Sequence, residues 1–147
     1  MGLAEARDKV LSRPEAEIRA GTDKSKKDYT FFFRYETKRG KVYEGQFTNH
    51  ILTNDQKWAM EGIVSRVFDC VPLNTISPVA RYIAHCAVHL DMSLDKERPK
   101  WAENLGNLTD EDVVTMLYRE VTTHEDIFFG REEDQGKSEG ESEEQPD

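Results

Sequence analysis

Between residues 29 and 48 the chain reads with a period of two, and this pattern restricts the fold more than any other. Tyr29-Thr30-Phe31-Phe32-Phe33-Arg34-Tyr35 and Lys41-Val42-Tyr43-Glu44-Gly45-Gln46-Phe47-Thr48 are aromatic and β-branched runs, separated by Glu36-Thr37-Lys38-Arg39-Gly40. Gly40 can take the left-handed backbone conformation that closes a hairpin. Successive side chains of a strand point to opposite faces, so Tyr29, Phe31, Phe33 and Tyr35 share one face. Tyr43 and Phe47 form the matching face of the second strand. A two-stranded hairpin is marginal by itself in water. Its aromatic face must be covered, and helices downstream are the obvious cover.

Helical patterns do follow. Thr53-Asn54-Asp55-Gln56 fits a capping box, in which Thr53 accepts from the backbone and Gln56 reaches back. Trp58, Ala59, Met60, Ile63, Val64, Val67, Phe68 and Val71 then predict one broad apolar face that ends at Pro72. Gly62, inside this helix, predicts a close helix crossing. Ser77-Pro78 opens a second helix, a cap followed by proline at the first helical position. Its inward residues are expected to be Val79, Ala80, Ile83, Ala84, Ala87 and Val88. After a turn over residues 95–99, a short helix is expected around residues 101–105. Thr109 caps the last helix, with Asp110, Glu111 and Asp112 complementing the positive end of its dipole. Val113, Met116, Leu117 and Val121, with Val114 beside them, line its buried face, and Gly130 closes the folded part. The expected class is α+β: an N-terminal β-hairpin packed on a small bundle of three to four helices.

The flanks differ in character. Residues 1–28 read as a flexible arm, with short helical turns interrupted by Pro14 and ended by Gly21, and with a polar, Lys-rich linker over residues 22–28. Residues 29–130 form the α+β domain. Residues 131–147 read as a disordered acidic tail, because Glu, Ser, Gly, Gln and Pro cannot bury enough surface to offset the entropy of ordering. This tail carries two basic and eight acidic side chains, so six of the nine net negative charges belong to it. An acidic surface repels a phosphate backbone, which argues against nucleic-acid binding despite the small cluster Lys24, Lys26 and Lys27. No apolar run approaches the roughly 20 residues that span a bilayer, and the first residues lack the apolar centre of a signal peptide. Two cysteines, Cys70 and Cys86, are too few for a disulfide framework. A reducing cytosol and no membrane contact are expected.

Few residues suggest chemistry. His85 and His89 stand four apart, with Cys86 between them, a spacing that could grip zinc. No glutamate follows His85 as a metalloprotease helix requires, so polar-edge histidines and two small buried thiols are the preferred reading. His124-Glu125 begins like a zinc helix, but Phe128 stands where the second histidine would be. A histidine whose positive form suits a helix C-terminus is expected there. Ser65, Ser77 and Thr109 are better explained as helix surface and caps than as nucleophiles. Without a converging nucleophile, base and oxyanion donor, the chain is expected to be no enzyme and to need no cofactor or metal. The large aromatics are another matter. Trp58 in mid-helix reads as core. Trp101, Tyr118, Phe128 and Phe129 are the candidate partner-binding residues, since aromatics anchor many interfaces. The stretch Arg98-Pro99-Lys100-Trp101 reads as a docking turn.

One order of motifs runs through the chain: Lys38-Arg39-Gly40-Lys41 and Tyr43-Glu44-Gly45-Gln46-Phe47, then Leu52-Thr53, Ile83-Ala84-His85, Val88-His89-Leu90 and Arg98-Pro99-Lys100-Trp101. Leu108-Thr109-Asp110, Met116-Leu117-Tyr118, Glu120-Val121, His124-Glu125 and Phe128 follow, before Gly130. This order resembles the small tail assembly chaperones of tailed bacteriophages and prophages over roughly residues 29–130. The resemblance implies a non-enzymatic protein of the host bacterial cytoplasm. Such a protein binds and solubilises the tape-measure protein and helps recruit tail-tube subunits. The resemblance carries over no residue-level site. Apart from the resemblance, self-association is an open expectation. The alternatives are a structural tail or connector component of the particle, a metal-dependent enzyme built on His85, Cys86 and His89, and a nucleic-acid binder.

Overall fold

In a computed structural model, which describes residues 16–131, strands β1 (Glu17–Ala20), β2 (Asp28–Glu36) and β3 (Val42–His50) form one antiparallel sheet in that order. Helices α1 (Asn54–Val67), α2 (Pro78–Ser93) and α3 (Glu111–Phe128) follow, with single 3₁₀ turns at Leu73–Thr75, Lys100–Ala102 and Leu105–Asn107. The class is α+β with an N-terminal hairpin, as the change of period predicts.

The β2–β3 hairpin forms as read. Phe31 lies opposite Phe47 and Tyr35 opposite Tyr43. Gly40, at φ +90°, lets the chain turn, and its N–H bonds Thr37 O at 2.9 Å. Tyr29, Phe31, Phe33, Tyr43 and Phe47 are all at most 1% exposed. Phe33 meets Phe47 edge-on with centroids 6.2 Å apart, and Phe31 stacks on Phe47 at 5.7 Å. Offset and edge-to-face rings of this kind contribute beyond the area they bury.

The reading of the N-terminal flank needs correction. Residues 17–20 are a strand of the sheet, with Ile18 opposite Phe33 and Ala20 opposite Phe31. Gly21 N–H bonds Thr30 O at 2.8 Å, and Thr30 N–H bonds Thr22 Oγ1 at 2.8 Å, so residues 21–27 are the β1–β2 connection rather than a linker. Four alternating residues are too few to tell a strand from a helical turn. Residues 1–15 and the acidic tail, residues 132–147, lie outside the described residues.

The first two helices start where expected but bury other faces. Thr53 and Gln56 complete both halves of the capping box, with Thr53 N–H to Gln56 Oε1 at 2.8 Å. α1 stops at Val67, ahead of Pro72, because Asp69 and Cys70 both take positive φ. Only Met60 and Val64 of α1 are buried, in a small cluster with Val88 of α2. Trp58 is 69% exposed and Val67 54%. Gly62 is exposed and meets only its own helix's Arg66, so no close crossing occurs there. Ser77 caps α2 by accepting from Ala80 N–H at 3.1 Å. That helix lies between α1 on one side and the sheet with α3 on the other. Cys86 and Leu90 therefore join the main core while Val88 and Met92 pack towards α1. Val79 and Ala80, expected inward, are exposed.

Two 3₁₀ turns replace the short helix expected near residues 101–105. Arg98, with a side chain only 6% exposed, holds this segment to the end of α2. It donates to Asp91 Oδ1 and to the carbonyls of Asp91, Leu94 and Ala102. α3 begins one residue later than read. Asp110 is the residue flanking it, and Asp110 Oδ2 accepts from Tyr43 OH at 2.9 Å rather than capping the helix. Val113, Val114, Met116, Leu117 and Val121 are buried, as their spacing predicts.

Candidate functional site

Of the four aromatics singled out in the sequence, Phe128 and Phe129 meet edge-on with centroids 5.0 Å apart, while Trp101 and Tyr118 each pack on other rings. Trp101 sits on the hairpin, its ring 5.1 Å from Tyr43, 5.7 Å from Phe47 and 6.2 Å from Phe33. Its Nε1–H donates to Glu44 O at 3.0 Å. Pro99 covers Gly45 so closely that a Cβ there would stand 2.0 Å from Pro99 Cγ. The turn over residues 98–101 docks, but on its own chain. Tyr118 lies half-buried against α2, with ring contacts to Tyr82, His85 and His89. Phe128 is half-buried beside His124, while Phe129 just past α3 is 47% exposed between the cations of Lys57 and Arg131.

Other apolar side chains face water instead. Trp58, Val67, Val71, Val79 and Tyr82 are between 43% and 69% exposed. All five belong to α1, α2 or the segment joining them. Fully burying one such side chain is worth roughly 1.5–3 kcal/mol, so this stretch keeps a large unspent capacity for contact. Helix geometry offered a clue for Trp58: with Met60 and Val64 inward, a residue two before Met60 stands on nearly the opposite side.

A buried polar cluster joins α2 to α3. His89 Nε2 and Glu125 Oε2 are 2.8 Å apart, with both side chains almost fully buried. Burial would raise the Glu125 carboxyl, yet its hydrogen bond to His89 and the nearby charges of His89, Lys57 and Arg131 outweigh that and hold it below its ordinary value. Burial and the neighbouring His89 push the His85 imidazole down, and its Nε2 lies 3.4 Å from Tyr118 OH. Burial also pushes the Tyr118 hydroxyl up to about 12 and the Cys86 thiol up to about 11, so both keep their protons at neutral pH. A thiol in that state is no nucleophile. Each imidazole has its own partner, and the described residues contain no group of three or more His, Cys, Asp or Glu placed to hold a metal. Cys70, read as buried, is exposed. The cluster ties two helices together.

A second tie anchors α3 to the sheet. His124 lies near the C-terminal end of α3, as expected, but is fully buried there. Its Nε2–H donates to Lys26 O at 2.7 Å, and its Nδ1 meets the Asn49 side-chain amide at 2.8 Å. Tyr29 OH donates to Glu120 at 2.5 Å, and Lys24 Nζ lies 3.3 Å from the same carboxylate. Lys24 and the backbone of Lys26 are thereby engaged inside the fold. No described helix is long and apolar enough to cross a membrane. Compared with protein-family models, curated proteins and solved structures, the chain gives no match.

Proposed function

We propose that the protein is a non-enzymatic tail assembly chaperone of a bacteriophage or prophage, acting in the host cytoplasm. It binds apolar helical stripes of the tape-measure protein before the tail tube encloses them, and it helps recruit tube subunits. The observation that carries this reading is the set of exposed apolar side chains on α1 and α2, with Trp58 at 69% and Val79 at 65%. An amphipathic helix laid against α1 would meet an aromatic anchor at Trp58, and one laid against α2 would meet Tyr82. Phe129, flanked by Lys57 and Arg131, is a further exposed aromatic just past α3. The acidic residues beyond Gly130 favour this use, since like charges keep neighbouring bound copies soluble.

Co-expression with the tape-measure protein tests the reading. The partner's soluble fraction should rise, the two should co-purify, and Trp58→Ser combined with Val79→Ser should weaken both effects without lowering the melting temperature. A partner that stays insoluble with no co-purification refutes it. Mass spectrometry of finished particles separates the chaperone from a structural subunit, because only the latter is present in fixed stoichiometry.

A further inference from the structure

The two edges of the sheet are finished differently. Along a strand, alternate residues offer their N–H and C=O to opposite sides. Ile51 donates to Lys27 O and Gly21 to Thr30 O. Counting from these bonds, the even-numbered residues of β3 and of β1 turn their backbone groups away from β2. On β3 that outer edge is occupied: Trp101 bonds Glu44 O, Asp95 N–H bonds Thr48 O at 2.8 Å, and Pro99 lies over Gly45. On the β1 side the outward groups are those of Ile18 and Ala20, with Ala16 next in line just before the strand. Among the described residues nothing pairs with them.

We propose that a second copy of this chain docks on the β1 edge, the two β1 strands pairing antiparallel so that the two sheets become one. The strand's own sequence specifies this occupant. With a two-fold axis at Ile18, Ile18 faces its counterpart, Ala16 faces Ala20, and Glu17 faces Arg19. The outward N–H and C=O groups of residues 16, 18 and 20 are then each used once, in reciprocal pairs. Glu17 and Arg19 lie on the outer face of the sheet, both more than half exposed, where each meets an opposite charge across the axis. Moving the two-fold axis one residue along the strand in either direction places Glu17 against Glu17 or Arg19 against Arg19, and like charges directly opposite are unfavourable. Charge therefore selects one register. On the inner face, Ile18 borders an open cavity of about 200 Å³ lined by Ala16, Ile18, Met116, Arg119 and Glu120. The partner's Ile18 would stand at its mouth. This interface is independent of which protein α1 and α2 hold.

So short a strand pair gives a small interface, with a dissociation constant of roughly 1–100 μM expected. Sedimentation equilibrium of the full chain should show a monomer–dimer equilibrium in that range. Hydrogen exchange at the Ile18 and Ala20 amides should slow as concentration rises, while the Arg19 amide, which faces β2, should be slow throughout. Ile18→Pro removes an outward N–H without touching a β1–β2 bond and should leave a folded monomer. Glu17→Lys should weaken dimerisation roughly tenfold, and Glu17→Lys with Arg19→Glu should restore it. A chain that stays monomeric to several hundred micromolar overturns the proposal. So does a dimer whose Ile18 and Ala20 amides do not respond, or one that the double charge reversal fails to restore.

Discussion

Gly45→Ala is the substitution that most directly probes how this fold is held. The new methyl group would stand 2.0 Å from Pro99 Cγ, 3.1 Å from its Cβ and 3.2 Å from its Cδ. None of these atoms belongs to a flexible side chain, since the proline ring is locked to the backbone. Either β3 or the segment over residues 98–101 must shift. Overpacking of this kind costs about 1–3 kcal/mol. If the segment lifts, the Trp101 Nε1 bond to Glu44 O is lost as well, at about 1 kcal/mol. The total is about 2–4 kcal/mol, which in a domain of this size lowers the melting temperature by roughly 8–16 °C. Urea and thermal unfolding measure the loss. Fluorescence in a Trp58→Phe background isolates Trp101, which should shift to the red as its ring leaves Phe33, Tyr43 and Phe47. Adding Pro99→Gly removes all three clashing atoms, so the double variant should recover at least about 1 kcal/mol relative to additivity. A Gly45→Ala protein within about 0.5 kcal/mol of the parent, or no recovery with Pro99→Gly, refutes the reasoning.

Other outcomes follow from the polar ties and the thiols. His89→Ala leaves Glu125 buried without its main partner and should cost about 3 kcal/mol by denaturant unfolding. The Glu125 carboxyl is held below its ordinary value, so the carboxylate's contribution is fully present above about pH 4.5 and fades as pH falls through the lower folded value. Glu125→Gln should flatten that acid limb. His50, 2.8 Å from Asp28 and 3.2 Å from Asp95, is partly desolvated, which opposes its charge, yet the two carboxylates win and raise it. Its contribution is therefore complete below about pH 6.5 and is lost as pH rises through the folded value, an imidazole titration that proton NMR would follow. A thiol reagent should modify exposed Cys70 rapidly in the native protein and reach Cys86, whose thiol burial pushes up to about 11, only on unfolding.

The reach of the sequence is clearest where one element has one buried face. The hairpin's alternation and the spacing of Val113, Leu117 and Val121 each report a single apolar side, and both elements bury the side they advertise. The capping box at Thr53 and the Ser77-Pro78 start are equally local, since neighbours in the chain make all of their bonds. Trp101 shows the opposite case. Its residue type invites a partner, but whether that partner is another protein or the chain's own β3 depends on where the segment after α2 folds back.

What the chain determines by itself, then, is local: period, caps, turn residues and the need to cover an aromatic sheet face. The tertiary structure alone decided which sides of α1 and α2 meet water, because α2 is buried on two sides and no single stripe describes it. It also decided that four alternating residues become an edge strand, and that His89, Glu125, His124 and Asn49 lie inside. A buried polar group is stable only when its partner is present. For His89 that partner is 36 residues away, and for His124 it is 75 and 98 residues away, separations that no local pattern encodes.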